Sequence, residues 1–134
     1  MASLPSLSFI SATDLIRLRP SSKLAIVDVR DEGLRSDLGH IAGSWNFERD
    51  NFSEKLPALM GKLEGQEAVV LHCGKSQHSG PACANKLVEH LATLLSKKEI
   101  EAAPRVYILE KGFTGWASAG FPVCTCGEAF CEGC

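Results

Sequence analysis

Two groups of residues in this chain have types and spacings that could do chemistry. The first begins at Val69-Val70-Leu71-His72-Cys73, an apolar β-branched run ending in His-Cys, and passes through a loop of small and polar residues into a long helical pattern opened by Pro81. A cysteine placed there gains two things: loop N–H groups that can turn inward as an anion nest, and the partial positive charge of a helix N-terminus. Both also favour the thiolate, which is the nucleophilic form. Cys73 is therefore the candidate nucleophile, and Gly74, Lys75, Ser76, Gln77, His78, Ser79 and Gly80 are the candidate anion-binding loop. Gly74, Ser76 and Gly80 keep the loop compact, and Pro81 is preset for the first helical turn. An isolated cysteine is more often a buried, inert residue; the strand, loop and helix around Cys73 reverse that expectation. Loops of this kind usually close on an arginine that clamps the anion, and here that seat holds Ser79. Lys75 and His78 offer replacement charge, although such side chains are ordinarily solvated. On an extended strand His72 would point to the face opposite Cys73. That suits fixing the loop through hydrogen bonds better than acting as a base. No carboxylate lies in the loop to serve as a general acid.

The second group is the tail, Cys124-x-Cys126-x4-Cys131-x2-Cys134. In a reducing cytosol a disulfide framework is not the expected use of such cysteines. The four thiolates of Cys124, Cys126, Cys131 and Cys134 form the donor set of a closed, tetrahedral structural zinc site. A histidine such as His40 or His90 could replace one cysteine. A rival use is redox, with Cys131 or Cys134 resolving an intermediate on Cys73. Gly127 and Gly133 permit the tight turns that either use needs.

The elements that must position these groups follow from hydrophobic patterning. Leu24–Arg30, Ala68–Cys73 and Arg105–Leu109 are nearly continuous apolar runs, as expected of strands buried on both faces in a parallel sheet. Helical spacing covers a short segment after Ser11 ending near Arg19-Pro20, then Phe52–Leu63, then Pro81–Ile100, and a last short helix led by Gly112-Phe113. Gly39–Phe47 reads as a turn feeding a short strand. Alternating strands and helices predict an α/β domain with a central, mainly parallel sheet and helices on both faces. Ligands of such sheets bind outside the carboxyl ends of the strands, where Cys73 falls. We expect one domain over residues 1–134, with a body over 11–123 and a cysteine-rich, zinc-binding tail over 124–134.

Composition excludes several classes. A hydrophobic fraction of 45%, a charged fraction of 22% and a net charge of −2 describe an ordinary globule. They give no electrostatic reason to expect nucleic acid or a membrane surface as a partner. The longest apolar run, near Leu87–Leu95, is interrupted by Glu89, His90 and Thr93 and cannot span a bilayer. The N-terminus lacks a basic region followed by an apolar core, so no secretory signal is expected. The cytoplasm is the default location, with the nucleus open.

Several of these segments carry a family resemblance. Asp28-Val29-Arg30, Gly39-His40-Ile41-Ala42-Gly43-Ser44 and Leu109-Glu110-Lys111-Gly112-Phe113-Thr114-Gly115-Trp116, with Gly120–Val123, resemble the rhodanese fold at its characteristic places, from about Ser11 to Val123. Within that fold, the spacing from Cys73 to Ser79 is similar to the longer loop of the phosphatases and arsenate reductases rather than the shorter loop of sulfurtransferases. His72-Cys73, Ser76-Gln77, Gly80-Pro81, Cys83-Ala84 and the tail look most like plant-type arsenate reductases, which are related to cell-cycle dual-specificity phosphatases. The resemblance implies arsenate as substrate, a Cys73 thiolate as nucleophile, glutathione as reductant, glutaredoxin as recycling partner and zinc in the tail. Asp28 resembles the aspartate of the family's Asp-x-Arg turn, with a structural pairing to Arg30 or a loop amide as its expected role.

Ser79 is where the chain departs from that pattern. A hydroxyl cannot bind two equatorial oxygens bidentately as a guanidinium does. Losing one preorganised transition-state donor costs roughly 10²–10³ in turnover, so phosphoryl transfer should suffer. Arsenate, which exchanges its oxygens for thiols more readily, should suffer less. A dual-specificity phosphatase is thus the alternative that Ser79 argues against, and an inactive rhodanese-like binding module is another.

Overall fold

The three apolar runs lie side by side at the centre of one sheet. The computed structural model describes residues 6–20, 23–74 and 78–133; Lys75, Ser76, Gln77 and Cys134 lie outside the described residues. In chain order the elements are β1 (Leu7–Ile10), α1 (Ala12–Leu18), β2 (Leu24–Asp28), α2 (Glu32–Leu38), β3 (His40–Ile41), β4 (Trp45–Asn46), a 3₁₀ turn (Arg49–Asn51), α3 (Phe52–Leu63), β5 (Ala68–His72), α4 (Ser79–Ser96), β6 (Arg105–Leu109), α5 (Gly112–Ser118) and β7 (Val123–Cys124). The main sheet runs β1-β6-β5-β2-β4, and every pairing in it is parallel.

Alternation along the central strands sends successive side chains to opposite faces. Ala25, Val27, Val69, Leu71, Val106 and Ile108 pack with Phe52, Leu56 and Leu59 of α3 and with Leu87 and Leu91 of α4. Ile26, Val70 and Leu109 meet Leu15 of α1 and Phe113 and Trp116 of α5 on the other face. Trp116 is fully buried, and its Nε1 donates to the carbonyl of Pro122 at 2.8 Å. Truncating it to alanine would cost about 3–5 kcal/mol.

Hydrophobic patterning did not announce every element, and β1 and α2 show why. β1 pairs only with β6, and of its residues only Ile10 is buried, so no apolar alternation marks it. α2 is capped by Asp31, whose side chain accepts from the N–H of Leu34, and the one residue it buries is Arg35. A helix held by a cap and a buried guanidinium carries no apolar stripe.

The tail folds back along the segment after α2. β3 pairs antiparallel with β7, setting His40 against Cys124 and Ile41 against Val123. Further along, Asn46 N donates to Ala129 O at 2.7 Å and Cys131 N to Ser44 O at 3.2 Å. Gly39 permits this approach: its φ is +84°, and a Cβ there would lie 2.8 Å from Val123.

Candidate active site

β5 ends at His72 and delivers Cys73 to the carboxyl edge of the sheet, half-buried in a cleft of about 420 Å³. Arg30, Arg49, Gly74, His78 and Ser79 share that cleft with the thiol, and Asp31, Glu48 and Asp50 also line it. Sequence reasoning found no carboxylate near the thiol because it looked only within the loop. Two of these acids are already engaged: Asp31 caps α2, and Glu48 Oε2 accepts from the N–H of Glu32 at 2.9 Å.

The loop is held from behind by the first turn of α5. Phe113 N donates to Cys73 O at 3.0 Å and Thr114 N to Gly74 O at 2.9 Å. Gly112 is what lets α5 come so close: at φ +53°, a Cβ on it would sit 2.6 Å from both carbonyl oxygens. With those oxygens bonded, an anion beside Cys73 meets no unpaired carbonyl from either residue. α4 begins at Ser79, two residues before Pro81, and no side chain caps its first turn. Its first N–H groups therefore start uncapped at the cleft wall, where His78 and Ser79 lie. Of the predicted loop residues, Gly74, His78 and Ser79 line the cleft with Cys73, and Gly80 is buried in the first turn of α4.

His72 is fully buried, and its Nδ1 lies 3.0 Å from Cys73 O. A carbonyl only accepts, so Nδ1 carries the proton and the ring anchors the loop, as the sequence suggested. Burial pushes the His72 pKa down, against the pull of Asp28, and the ring stays neutral near pH 7. Among the described residues its Nε2 has no hydrogen-bond partner.

Beneath the loop lies a network of which sequence reasoning found only half. Asp28 pairs with Arg30, as expected: Arg30 Nη2 reaches Asp28 Oδ2 at 2.7 Å and Arg30 N reaches Oδ1 at 3.0 Å. A second guanidinium, Arg35 from α2, reaches the same carboxylate at 3.2 Å. Burial alone would raise the Asp28 pKa, but His72 and the Arg30 bonds and charge outweigh it and hold the carboxyl below its usual range. Arg30 Cζ also lies over the Phe113 ring, 4.2 Å from its centroid, and Nη2 donates to Gly39 O at 2.7 Å. Arg35 donates to Ser44 O and to Glu128 O in the tail. Lacking an apolar stripe around it, Arg35 left no trace in the periodicity.

Ser79, in the seat of the missing arginine, is not isolated. Arg49 Nη1 donates to Ser79 Oγ at 3.3 Å, and both side chains line the cleft. Arg49 lies 30 positions away in the sequence, and nothing in its local context signalled this. The nearby Cys83 is a different kind of thiol: it is fully buried, and burial pushes its pKa up to about 11.

The second cysteine group gathers around β3 and β7. Ligand atoms of His40, Cys124, Cys126 and Cys131 all lie within 4.8 Å of one another. His40 Nε2 stands 3.6 Å from Cys126 Sγ. Three amide donors point at two of the sulfurs: Cys126 N donates to Cys124 Sγ, and Gly43 N and Gly133 N donate to Cys131 Sγ, at 3.2–3.4 Å. Burial lowers the His40 pKa, which keeps the ring in its ligating, neutral form. Cys124 is disulfide-bonded, so its sulfur is offered to a metal only in the reduced chain. His90, the other histidine considered, is not in this cluster.

A thiol at the carboxyl edge of a parallel sheet, in a cleft lined by arginines and carboxylates, defines an α/β domain that presents a cysteine at its ligand-binding edge. The chain belongs to the family described as rhodanese-like domain, which matches residues 11–119. An Arabidopsis thaliana protein named dual specificity phosphatase Cdc25 is 41% identical over 99% of this chain and 88% of its own length. The protein of Oryza sativa subsp. japonica named arsenate reductase 2.2 is 38% identical over 94% of each chain. Among solved structures, the As-Sb reductase from Leishmania major superposes with a TM-score of 0.64 at 25% identity, covering 85% of this chain and 79% of that one. No helix among the described residues is long and apolar enough to cross a membrane.

Proposed function

We propose that this chain reduces arsenate to arsenite through Cys73. The observation that carries the reading is Cys73 in a cleft with Ser79, at the His72-Cys73-x5-Ser79 spacing that the family resemblance links to tetrahedral oxyanions, closed here by a hydroxyl. The likeness to the rice reductase supports it. Cys73 Sγ attacks arsenic and a protonated oxygen leaves as water, giving a Cys73–S–As(V) adduct. Glutathione displaces a second oxygen and adds its own sulfur to arsenic. The two sulfurs then join as a Cys73–glutathione disulfide, and the electron pair stays on arsenic, which leaves as arsenite. A glutaredoxin thiol takes the glutathione from Cys73 and restores the thiol. Water as leaving group asks little of a general acid, and thiols supply both electrons. Such thiol chemistry belongs in a reducing compartment, which fits the cytoplasm or the nucleus.

The test is arsenite production in the presence of glutathione and glutaredoxin. Turnover should depend on both and vanish in Cys73→Ser. Undiminished turnover in that variant would remove the mechanism. The Arabidopsis relative favours a second reading, a dual-specificity phosphatase. Hydrolysis of an aryl phosphate by the unaltered chain would support it, whereas activity gained only on Ser79→Arg would assign the separation of the two chemistries to that serine.

The tail we read as a structural zinc site. Zn–S bonds of about 2.3 Å and Zn–N bonds of about 2.0–2.1 Å set the S···N edge of a tetrahedron at about 3.6 Å, and the His40–Cys126 separation is 3.6 Å. His40, Cys124, Cys126 and Cys131 thus suit zinc once Cys124 is reduced. Cys134, the fourth thiolate expected from spacing, competes with His40 for one position. Zinc here would fasten β7 and the tail to β3, far from any bond that changes in the reaction.

A further inference from the structure

We propose that Arg49, acting with Ser79, clamps the bound oxyanion in place of the arginine that the loop lacks. The inference rests on the oxyanion-reductase reading of Cys73. Its physical basis is the arrangement at the cleft. Arg49 is anchored at its backbone, where its N–H donates to Val29 O at 3.1 Å just past the end of β2, and it opens the 3₁₀ turn Arg49–Asn51. From there its Nη1 reaches Ser79 Oγ at 3.3 Å, and both side chains line the cleft that holds Cys73 and Gly74.

Arg49 is available for an anion. Among the described residues no carboxylate lies within 4.0 Å of its guanidinium, and the ion pairs found among them join Arg30 and Arg35 to Asp28. Both of those guanidiniums are bound to a carboxylate, although Arg30 keeps a buried Nη1 without a partner among the described residues, whereas Arg49 is exposed and carries its whole charge at the mouth. Its contact with Ser79 is at the long end for a hydrogen bond and uses one of five donors in the planar fork. The remaining donors can meet oxygens of an anion beside Cys73 in the paired geometry that guanidinium favours. The serine gains a role as well. Accepting from Arg49 leaves its O–H free to donate, so the hydroxyl and the guanidinium together replace the single side chain that usually closes the loop.

The test reads oxyanion binding both with and without turnover. In the first assay, arsenate or inorganic phosphate protects Cys73 of the full chain from iodoacetamide. In the second, KM for arsenate is measured from arsenite production. Arg49→Ala should raise both the protecting concentration and KM by about 10- to 100-fold, the modest side of what a preorganised donor contributes because Arg49 is exposed. Arg49→Lys, which keeps the charge and loses the fork, should fall between. Ser79→Arg in the Arg49→Ala background should restore protection, a rescue that a merely structural role for Arg49 would not give. Protection and KM unchanged in Arg49→Ala would overturn the clamp, as would failure of both Arg49→Lys and the rescued double variant to differ from Arg49→Ala. If the unaltered chain makes no arsenite, yet protection is lost in Arg49→Ala and regained in the double variant, the clamp stands and the reductase reading falls.

Discussion

The two cysteine clusters use the same side chain toward opposite ends. At Cys73 a sulfur stands half-buried in an open cleft, next to two main-chain carbonyls that the first turn of α5 has bonded away. Arginines and carboxylates both line that cleft, and the sulfur faces open space in which it can form and break bonds. Around Cys126 the sulfurs and His40 converge on one another within 4.8 Å, with amide donors behind them. There the sulfurs and the ring face one another rather than a common open space. A thiol reacts or binds according to what faces it, and the two groups of sulfurs sit apart in the chain, Cys73 just past β5 and the tail cysteines from the end of β7 onward.

The largest expected effect separates the clusters outright. Cys73→Ser should lower arsenite production at least about 10³-fold, since removing a nucleophile abolishes the covalent step. Metal content and thermal midpoint should stay those of the unaltered chain. A Cys73→Ser protein that also lost its metal would show the two clusters to be one.

Next comes the residue that joins them. Asp28 is held by Arg30, which reaches Phe113 behind the cysteine loop, and by Arg35, which reaches Glu128 in the tail. Asp28→Asn leaves two buried guanidiniums without their carboxylate and should cost about 3–5 kcal/mol, read by denaturant unfolding. It should impair turnover and loosen the tail together. Because the folded carboxyl titrates below its usual range, the same stability is present at neutral pH and is lost as pH falls through that lowered value.

These cases show which parts of the molecule sequence could carry. The sheet was legible because β2, β5 and β6 are buried on both faces, and continuous apolar runs record that directly. Cys73 was legible because its context is local: strand, loop and helix are consecutive. Arg35, Arg49 and the fit of His40 were not, because each acts through a partner brought near by the fold. His40 was at least among the histidines considered for the tail, since ligand chemistry limits the choices. Nothing comparable limits which arginine a serine meets, so Arg49 could be found only in three dimensions.

A smaller effect tests the holding cluster. Chelation in reducing buffer, or Cys124→Ser with Cys126→Ser, should remove one zinc per chain and lower the thermal midpoint by roughly 5–10 °C. Alkylation of Cys73 should proceed at an unchanged rate. His40→Gln and Cys134→Ser then discriminate the fourth ligand: zinc lost in the first and kept in the second assigns it to His40, and the reverse pattern assigns it to Cys134. Turnover abolished in a variant that keeps its fold and its zinc would instead assign the tail thiols to redox chemistry.

The smallest expected effect concerns His72, which touches the reactive cluster without reacting. Its ring is neutral in the folded chain because burial lowers its pKa from 6.5, while in the unfolded chain it takes a proton as pH drops below about that value. The unfolded state then binds more protons than the folded one, so stability falls on acidification between 6.5 and the lower folded value, and is fully present above 6.5. One such group contributes a slope of up to about 1.4 kcal/mol per pH unit. His72→Asn retains an N–H donor for Cys73 O, since the amide nitrogen of asparagine can occupy the place of Nδ1, and it removes the titration. Its unfolding free energy should therefore be flatter between pH 6.5 and 5 than that of the unaltered chain, with His40 left to supply part of the slope. Arsenite production at pH 7 should change by no more than a few-fold. An unaltered slope in His72→Asn would mean that the ring is charged in the folded protein, and a collapse of turnover at pH 7 would mean that it does more than hold the loop.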